Sequence, residues 1–332
     1  MKIAIVKLSA LGDIVHAMVA LQFIKAHCPD AQIDWIVEQC FAEVLRHNPD
    51  IRNLHTVHLK ALKTNKTAIF QQIKRVCNFA SDHYDLVIDA QGLIKSALTA
   101  RLLGRKTAGF DASSVREKTA TWFYDRKFAC AFDNNTIDRN AFILSEPLGF
   151  QISHQQIIDK QAFLFFQNED PIIYDYLAKD KANIVLVISS TWESRNYPAE
   201  KFIKVADGLQ QNCLVIWGNE TEKQKAEQMA SQSKYIQIMP QLDLNSLKAL
   251  ITRADLLIGN DTGPTHFAWG LNKPSITLFG CTPVSRVYQT DINKVLKSPS
   301  IVNPFKLNKQ DYSIQEIDDQ QVIEIAKKLL SH

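Results

Sequence analysis

The sequence predicts an α/β protein of two domains, each built on a parallel sheet covered by helices on both faces. Three observations lead there. Short β-branched runs alternate with amphipathic helical patterns along the whole chain. Those runs are almost continuously apolar instead of alternating, which marks strands buried on both faces. The rhythm breaks at residues 166–182 (FQNEDPIIYDYLAKDKA) and restarts at NIVLVIS. Two similar units, 1–166 and 167–312, therefore fit 332 residues better than one oversized sheet.

The first strand, 2–6 (KIAIV), runs into a polar turn and then a helix over 13–27, with Ile14, Val15, Met18, Leu21 and Ile24 on its apolar side. Further strands are expected at 32–38 (QIDWIVE) and 85–90 (DLVIDA). After the break they recur at 183–189 (NIVLVIS), 212–217 (NCLVIW), 255–259 (DLLIG) and 274–279 (PSITLF), with helices over 198–211, 220–232 and 244–253. Residues 313–330 read as one amphipathic helix carrying Ile317, Val322, Ile325 and Leu329 on one side.

Composition narrows the function classes. With 46% hydrophobic and 22% charged residues the chain reads as globular. Its six cysteines contain no C-x-x-C pair, so neither a disulfide framework nor a zinc site is indicated. Lys7 interrupts the first apolar stretch after four residues, unlike a signal peptide. No apolar run approaches the roughly 18–20 residues that span a bilayer, so membrane contact is expected to be peripheral. Net charge is +3 but unevenly spread: residues 60–127 hold 13 Lys and Arg against 6 Asp and Glu, whereas the part from 167 onward holds 18 against 19. Such a basic region attracts phosphates, acidic sugars or anionic headgroups, or forms a solvated helix face. Overall balance and the lack of an aromatic platform argue against nucleic acid.

In open parallel sheets, ligands sit beyond the carboxyl ends of the strands. The turn after the first strand, K7-L-S-A-L-G-D13, has one glycine where G-x-G-x-x-G would let a pyrophosphate approach. That argues against NAD or FAD in the first domain. Asp13 is either a first-turn acid favoured by the helix dipole or a catalytic base. Lys7 and Ser9 stand beside it, and Asp89, Gln91 and Lys95 follow the 85–90 strand. Arg116, Lys118, Arg126 and Lys127 are candidates to meet an acidic acceptor.

The second domain offers a denser set. In D255-L-L-I-G-N-D-T-G-P-T-H266 a buried strand ends at a polar turn with Pro264 opening a helix. Thr262 and Gly263 would present amide groups to a phosphate, Asp261 would receive a sugar hydroxyl, and His266 would face the same site. S189-S-T-W-E-S-R195 adds Ser189, Ser190 and Thr191 as hydroxyl donors and Arg195 as a fixed cation. W217-G-N-E-T-E222 adds Glu222, a carboxylate placed to hold ribose hydroxyls. Three strand ends offering phosphate donors, a cation and a ribose-type acid point to a nucleoside diphosphate.

These residues resemble a known family, the lipopolysaccharide heptosyltransferases, and within it the heptosyltransferase I branch. The resemblance rests on K-L-S-A-L-G-D13, D-W-I-V-E38, Y-D-L-V-I-D-A-Q-G-L-I-K-S-A, F-Y-D-R-K and G-N-D-T-G-P-T-H266, spread over residues 1 to about 285. It implies a GT-B fold of two Rossmann-like domains facing a cleft, with the terminal helix 313–332 returning to the first. It implies inverting, metal-independent transfer of L-glycero-D-manno-heptose from ADP-heptose to the Kdo of Kdo-lipid A, without a cofactor. Donor positions carry over to Glu222, Asp261, Thr262, Gly263 and His266, and Arg195 stands where the family has a lysine. The catalytic base falls on Asp13, and the acceptor-binding basic residues fall around Lys60, Lys63, Lys66 and Arg116. A monomer at the cytoplasmic face of the inner membrane, drawn to anionic lipid, is the expected setting. The alternatives are a heptosyltransferase II or related core transferase, a nucleotide-sugar epimerase, and a non-catalytic nucleotide-sugar-binding protein.

Overall fold

The computed structural model describes residues 1–59, 69–104 and 106–331. The chain divides into two compact units, Met1–Phe165 and Phe166–His332. The first holds β1 (Lys2–Val6), β2 (Gln32–Glu38), β3 (Ile51–Val57), β4 (Leu86–Asp89), β5 (Thr107–Phe110) and β6 (Arg126–Phe128). The second holds β7 (Asn183–Val187), β8 (Asn212–Ile216), β9 (Ile236–Ile238), β10 (Leu256–Asn260), β11 (Ser275–Phe279) and β12 (Asn293–Lys297).

Each unit forms a six-stranded sheet, ordered β3-β2-β1-β4-β5-β6 in the first and β12-β11-β10-β7-β8-β9 in the second. All pairings are parallel. Renumbered within its own unit, the second sheet has the order of the first. In both, the winding direction reverses beside the first strand, between β1 and β4 and between β7 and β10. The register there brings Val6 opposite Asp89 and Val187 opposite Gly259. In such sheets the place for a ligand is beyond the strand ends at that point, where loops leave in opposite directions.

Local chemistry accounts for the helices around the second sheet. Asn219 accepts from Glu222 N (3.1 Å) and caps Glu220–Gln232; Asp243 accepts from Ser246 N (2.6 Å) and caps Leu244–Arg253. Such caps contribute about 1 kcal/mol each. Near the chain's start, the expected 13–27 helix begins earlier and is interrupted at Val19, giving Leu11–Met18 and Ala20–His27.

The terminal segment departs from expectation. A 3-10 turn, Ser313–Glu316, precedes a helix over Asp319–Leu330 capped by Asp318. The helix's apolar side is buried within the second unit. Val322, Ile323, Ala326 and Leu329 belong to the second unit's core with Phe202, Val205 and Leu209. Gly208 permits the approach: a Cβ there would lie 2.5 Å from Ile323 Cδ1. Among the described residues no helix is long and apolar enough to cross a membrane.

Candidate active site

The loops leaving β7, β8 and β10 surround a cavity of about 510 Å³ in the second unit. One side is apolar, with Trp217, Pro240, Leu242, Leu244 and Leu247. The other is polar, with Ser189, Ser190, Thr191, Glu222 and Thr262. Glu222 stands in the first turn of its helix, and its Oε2 accepts from Gly218 N (2.7 Å). Trp217 is fixed by its indole N–H, which donates to the Met239 carbonyl (2.7 Å).

The β10 turn is built tightly. Gly259 is required because a Cβ there would lie 2.6 Å from Val187 Cβ and 2.8 Å from Thr265 Oγ1. Thr265 Oγ1 donates to the Asn260 carbonyl (2.7 Å), closing the step into the helix Thr265–Gly270. Pro264 is the cap of that helix, one position earlier than expected. The amides of Thr262 and Gly263 carry no hydrogen bond among the described residues.

Behind the turn, Asp261 is almost wholly buried. Its Oδ2 lies 2.7 Å from Arg195 Nη2 and accepts from Thr282 Oγ1 (2.7 Å), while His266 Nε2 lies 3.3 Å from Oδ1. Burial alone would raise this carboxyl, but His266, Arg195 and Arg286 outweigh it and hold it well below the usual carboxylate range. Asp261 therefore fixes Arg195, a role the sequence left unassigned. Arg286, from the turn Val284–Arg286 beyond β11, was missed because it stands alone in a stretch without a motif.

Buried polar groups are normally paired. Here Ser190 Oγ, Arg195 Nε, Asn260 Nδ2 and Arg286 Nε are buried without a partner among the described residues. Four unused donors thus accompany the β7–β10 switch point. Two guanidinium groups face one carboxylate, a surplus of positive charge that suits an anion.

The corresponding point of the first unit is closed. Asp89, fully buried, accepts from Gln91 N (2.8 Å), Gly92 N (3.2 Å), Ser96 Oγ (2.8 Å) and Tyr124 Oη (2.6 Å). It holds the fold and does not line a site. Lys7 is likewise corrected from an acceptor contact to a structural tie. Its buried ammonium donates to the Ala90 carbonyl (2.8 Å) and Asn140 Oδ1 (2.9 Å). Burial pushes its pKa down, against Asp13 and Asp89, which raise it. Gln91 Oε1 accepts from Leu8 N (2.7 Å) and Ser9 N (3.2 Å), and its Nε2 donates to Ser9 Oγ (3.0 Å). The loop before Asp13 is therefore anchored from β4.

Asp13 itself is half-buried in the first turn of Leu11–Met18, and among the described residues its carboxylate accepts one hydrogen bond, from Ala10 N, long at 3.5 Å. Arg116 is exposed, with its guanidinium over the Phe132 ring at 5.2 Å. Lys60, Lys63 and Lys66 lie outside the described residues.

A family model for glycosyltransferase family 9 (heptosyltransferase) matches residues 69–302. The chain is 34% identical to lipopolysaccharide heptosyltransferase 1 of Campylobacter coli over an alignment of 343 positions, covering 99% of each. It is 26% identical to lipopolysaccharide heptosyltransferase 1 of Escherichia coli K12, covering 93% of this chain and 97% of that one. The solved structure of E. coli heptosyltransferase WaaC with ADP matches with a TM-score of 0.82 at 23% identity, covering 99% of this chain and 100% of the other. That likeness bears on the fold, which is GT-B. The chain belongs to glycosyltransferase family 9, the heptosyltransferases.

Proposed function

We propose that the protein transfers L-glycero-D-manno-heptose from ADP-heptose to the Kdo of Kdo-lipid A, with inversion and without a metal or cofactor, in assembly of the lipopolysaccharide inner core. The observation that carries this reading is the set of unused donors at the β7–β10 switch point, next to an apolar slot and a ribose-type acid. The apolar side suits adenine, Glu222 suits the ribose hydroxyls, and the donors suit the diphosphate. The relatives named lipopolysaccharide heptosyltransferase 1 support heptose transfer in lipopolysaccharide assembly.

The acceptor hydroxyl oxygen attacks the anomeric carbon as the bond to the β-phosphate oxygen breaks. The electron pair leaves with ADP, and the hydroxyl proton passes to the Asp13 carboxylate. Arg195, the Thr262 and Gly263 amides and the Ser190 hydroxyl meet the charge growing on the leaving diphosphate. Asp261 Oδ1, 3.3 Å from His266 Nε2, receives a sugar hydroxyl on its second lone pair. Arg116 and the 60–66 lysines supply positive charge for the acidic acceptor. The enzyme works at the cytoplasmic face of the inner membrane, held peripherally.

The test is an assay of the purified chain with ADP-heptose and Kdo-lipid A, followed by mass spectrometry of the lipid. The expected result is a lipid heavier by one heptose with matching release of ADP. An unmodified lipid, or ADP-heptose altered when no acceptor is present, overturns the reading.

A further inference from the structure

Helices in a globular unit turn their apolar side inward. The first unit has a layer that breaks this rule. Ile69–Phe79 packs on Ile94–Leu103, which packs on the 3-10 segment Lys118–Phe123. Of these residues Ile69, Phe70, Ile73, Ile94, Leu98 and Trp122 are exposed, Phe70 by 77% and Trp122 by 79%. Only Val76 of the first helix is buried. The second unit has a smaller group, Ile301, Phe305 and Tyr312, in one stretch; the first unit's layer is the larger, with six such side chains on three packed segments.

Charge on the same layer has one sign. The three segments carry Lys74, Arg75, Lys95, Arg101 and Lys118, and no Asp or Glu. Glu117, just before the third segment, is engaged by Ile94 N at 2.7 Å. Arg75 donates to Thr56 Oγ1 (2.8 Å), and Arg101 lies 3.6 Å from Asp125. Lysines among exposed aromatic and aliphatic side chains suit lipid headgroups better than a protein partner, because lysine is depleted from protein interfaces. Tryptophan favours the level where headgroups meet acyl chains.

We propose that this face docks on an anionic bilayer, with Phe70 and Trp122 entering the headgroup–acyl boundary and Lys74, Lys95 and Lys118 meeting lipid phosphates. The proposal rests on the peripheral membrane placement proposed above and supplies the surface for it. Binding then has two parts, one weakened by salt and one not.

The test uses vesicles of phosphatidylcholine and phosphatidylglycerol, plain or brominated on the acyl chains. Wild-type protein is expected to sediment with them, to lose only part of that binding at high salt, and to show tryptophan quenching by bromine. Trp122→Phe should still sediment but lose most of the quenching. The double variant Phe70→Ser, Trp122→Ser should bind about tenfold more weakly or worse. Its melting temperature and its ADP affinity should match wild type. Sedimentation of the double variant equal to wild type overturns the proposal. So does quenching that persists in Trp122→Phe, or a dimer of the wild-type chain that the double variant abolishes. Transfer to a deacylated, water-soluble acceptor separates the two readings. A chain that binds vesicles through Trp122 but transfers no heptose refutes the reaction alone; a chain that transfers heptose but ignores vesicles refutes the docking surface alone.

Discussion

Where β1 and β4 part in the first sheet, Asp89 receives four donors, Lys7 has two acceptors and Gln91 binds the neighbouring loop three times. Where β7 and β10 part in the second, Ser190, Asn260, Arg195 and Arg286 keep unused donors. The strand order is the same, so topology does not make the difference. It lies in whether the protein satisfies its own buried polar groups. A complete set holds a loop rigid; an incomplete set is costly until a ligand of matching charge completes it.

The largest effect expected from breaking this contrast comes from Asp13, which the rigid first-unit loop presents. Asp13→Ala should lower kcat by about 10²–10⁴-fold with ADP affinity unchanged in a calorimetric titration. Turnover near wild type would leave Asp13 as a helix-end acid only. Next, Asp89→Asn should cost about 3 kcal/mol in denaturant unfolding, because it sets an amide against donors that need an acceptor. ADP affinity should not change, since the residue holds only the first unit.

Arg195→Ala should act on both quantities. ADP binding should weaken on the order of a hundredfold, and the melting temperature should fall because Asp261 loses its nearest cation. Arg286→Ala sharpens the comparison. We expect about a tenfold loss of ADP affinity and a smaller loss for AMP, measured side by side. Equal losses would make Arg286 a merely structural cation.

The smallest effect is read from acid. The Asp261 pKa is depressed in the folded chain, so its contribution is present above the unfolded value of about 4 and is lost as pH falls below it. The difference in melting temperature between wild type and Asp261→Asn should therefore shrink below about pH 4.

The strands legible in the sequence were the inner ones. β1, β2, β4, β7, β8, β10 and β11 are apolar runs covered on both faces, and each was expected within a residue or two. The strands missed are short or lie toward the sheet edges. β3 (IRNLHTV) and β12 (NKVLK) mix charged with apolar residues because their side chains are half-exposed. β6 and β9 are three residues long, and β5 (TAGF) lacks the β-branched run that marks the equally short β4 (LVID). Residue type and strand-end position were enough to place Ser189, Thr191 and Glu222 at the loops that line the cavity, and Asp261 in the turn behind it. They did not reveal that Asp261 clasps Arg195, or that Lys7 turns inward, because both depend on partners distant in sequence. Asn140 lies 133 positions from Lys7, and Thr282 lies 21 from Asp261.

The seating of Asp319–Leu330 beside Gly208 has a consequence for how the chain is made. Synthesis runs from the amino end, so the first unit can fold while the second is still emerging. The cavity beyond β7, β8 and β10 belongs to a unit whose core closes only when Leu329 has left the ribosome. Until that moment Phe202, Val205 and Leu209 lack their covering helix, and a nascent chain stalled just short of it offers chaperones an unfinished half beside a finished one.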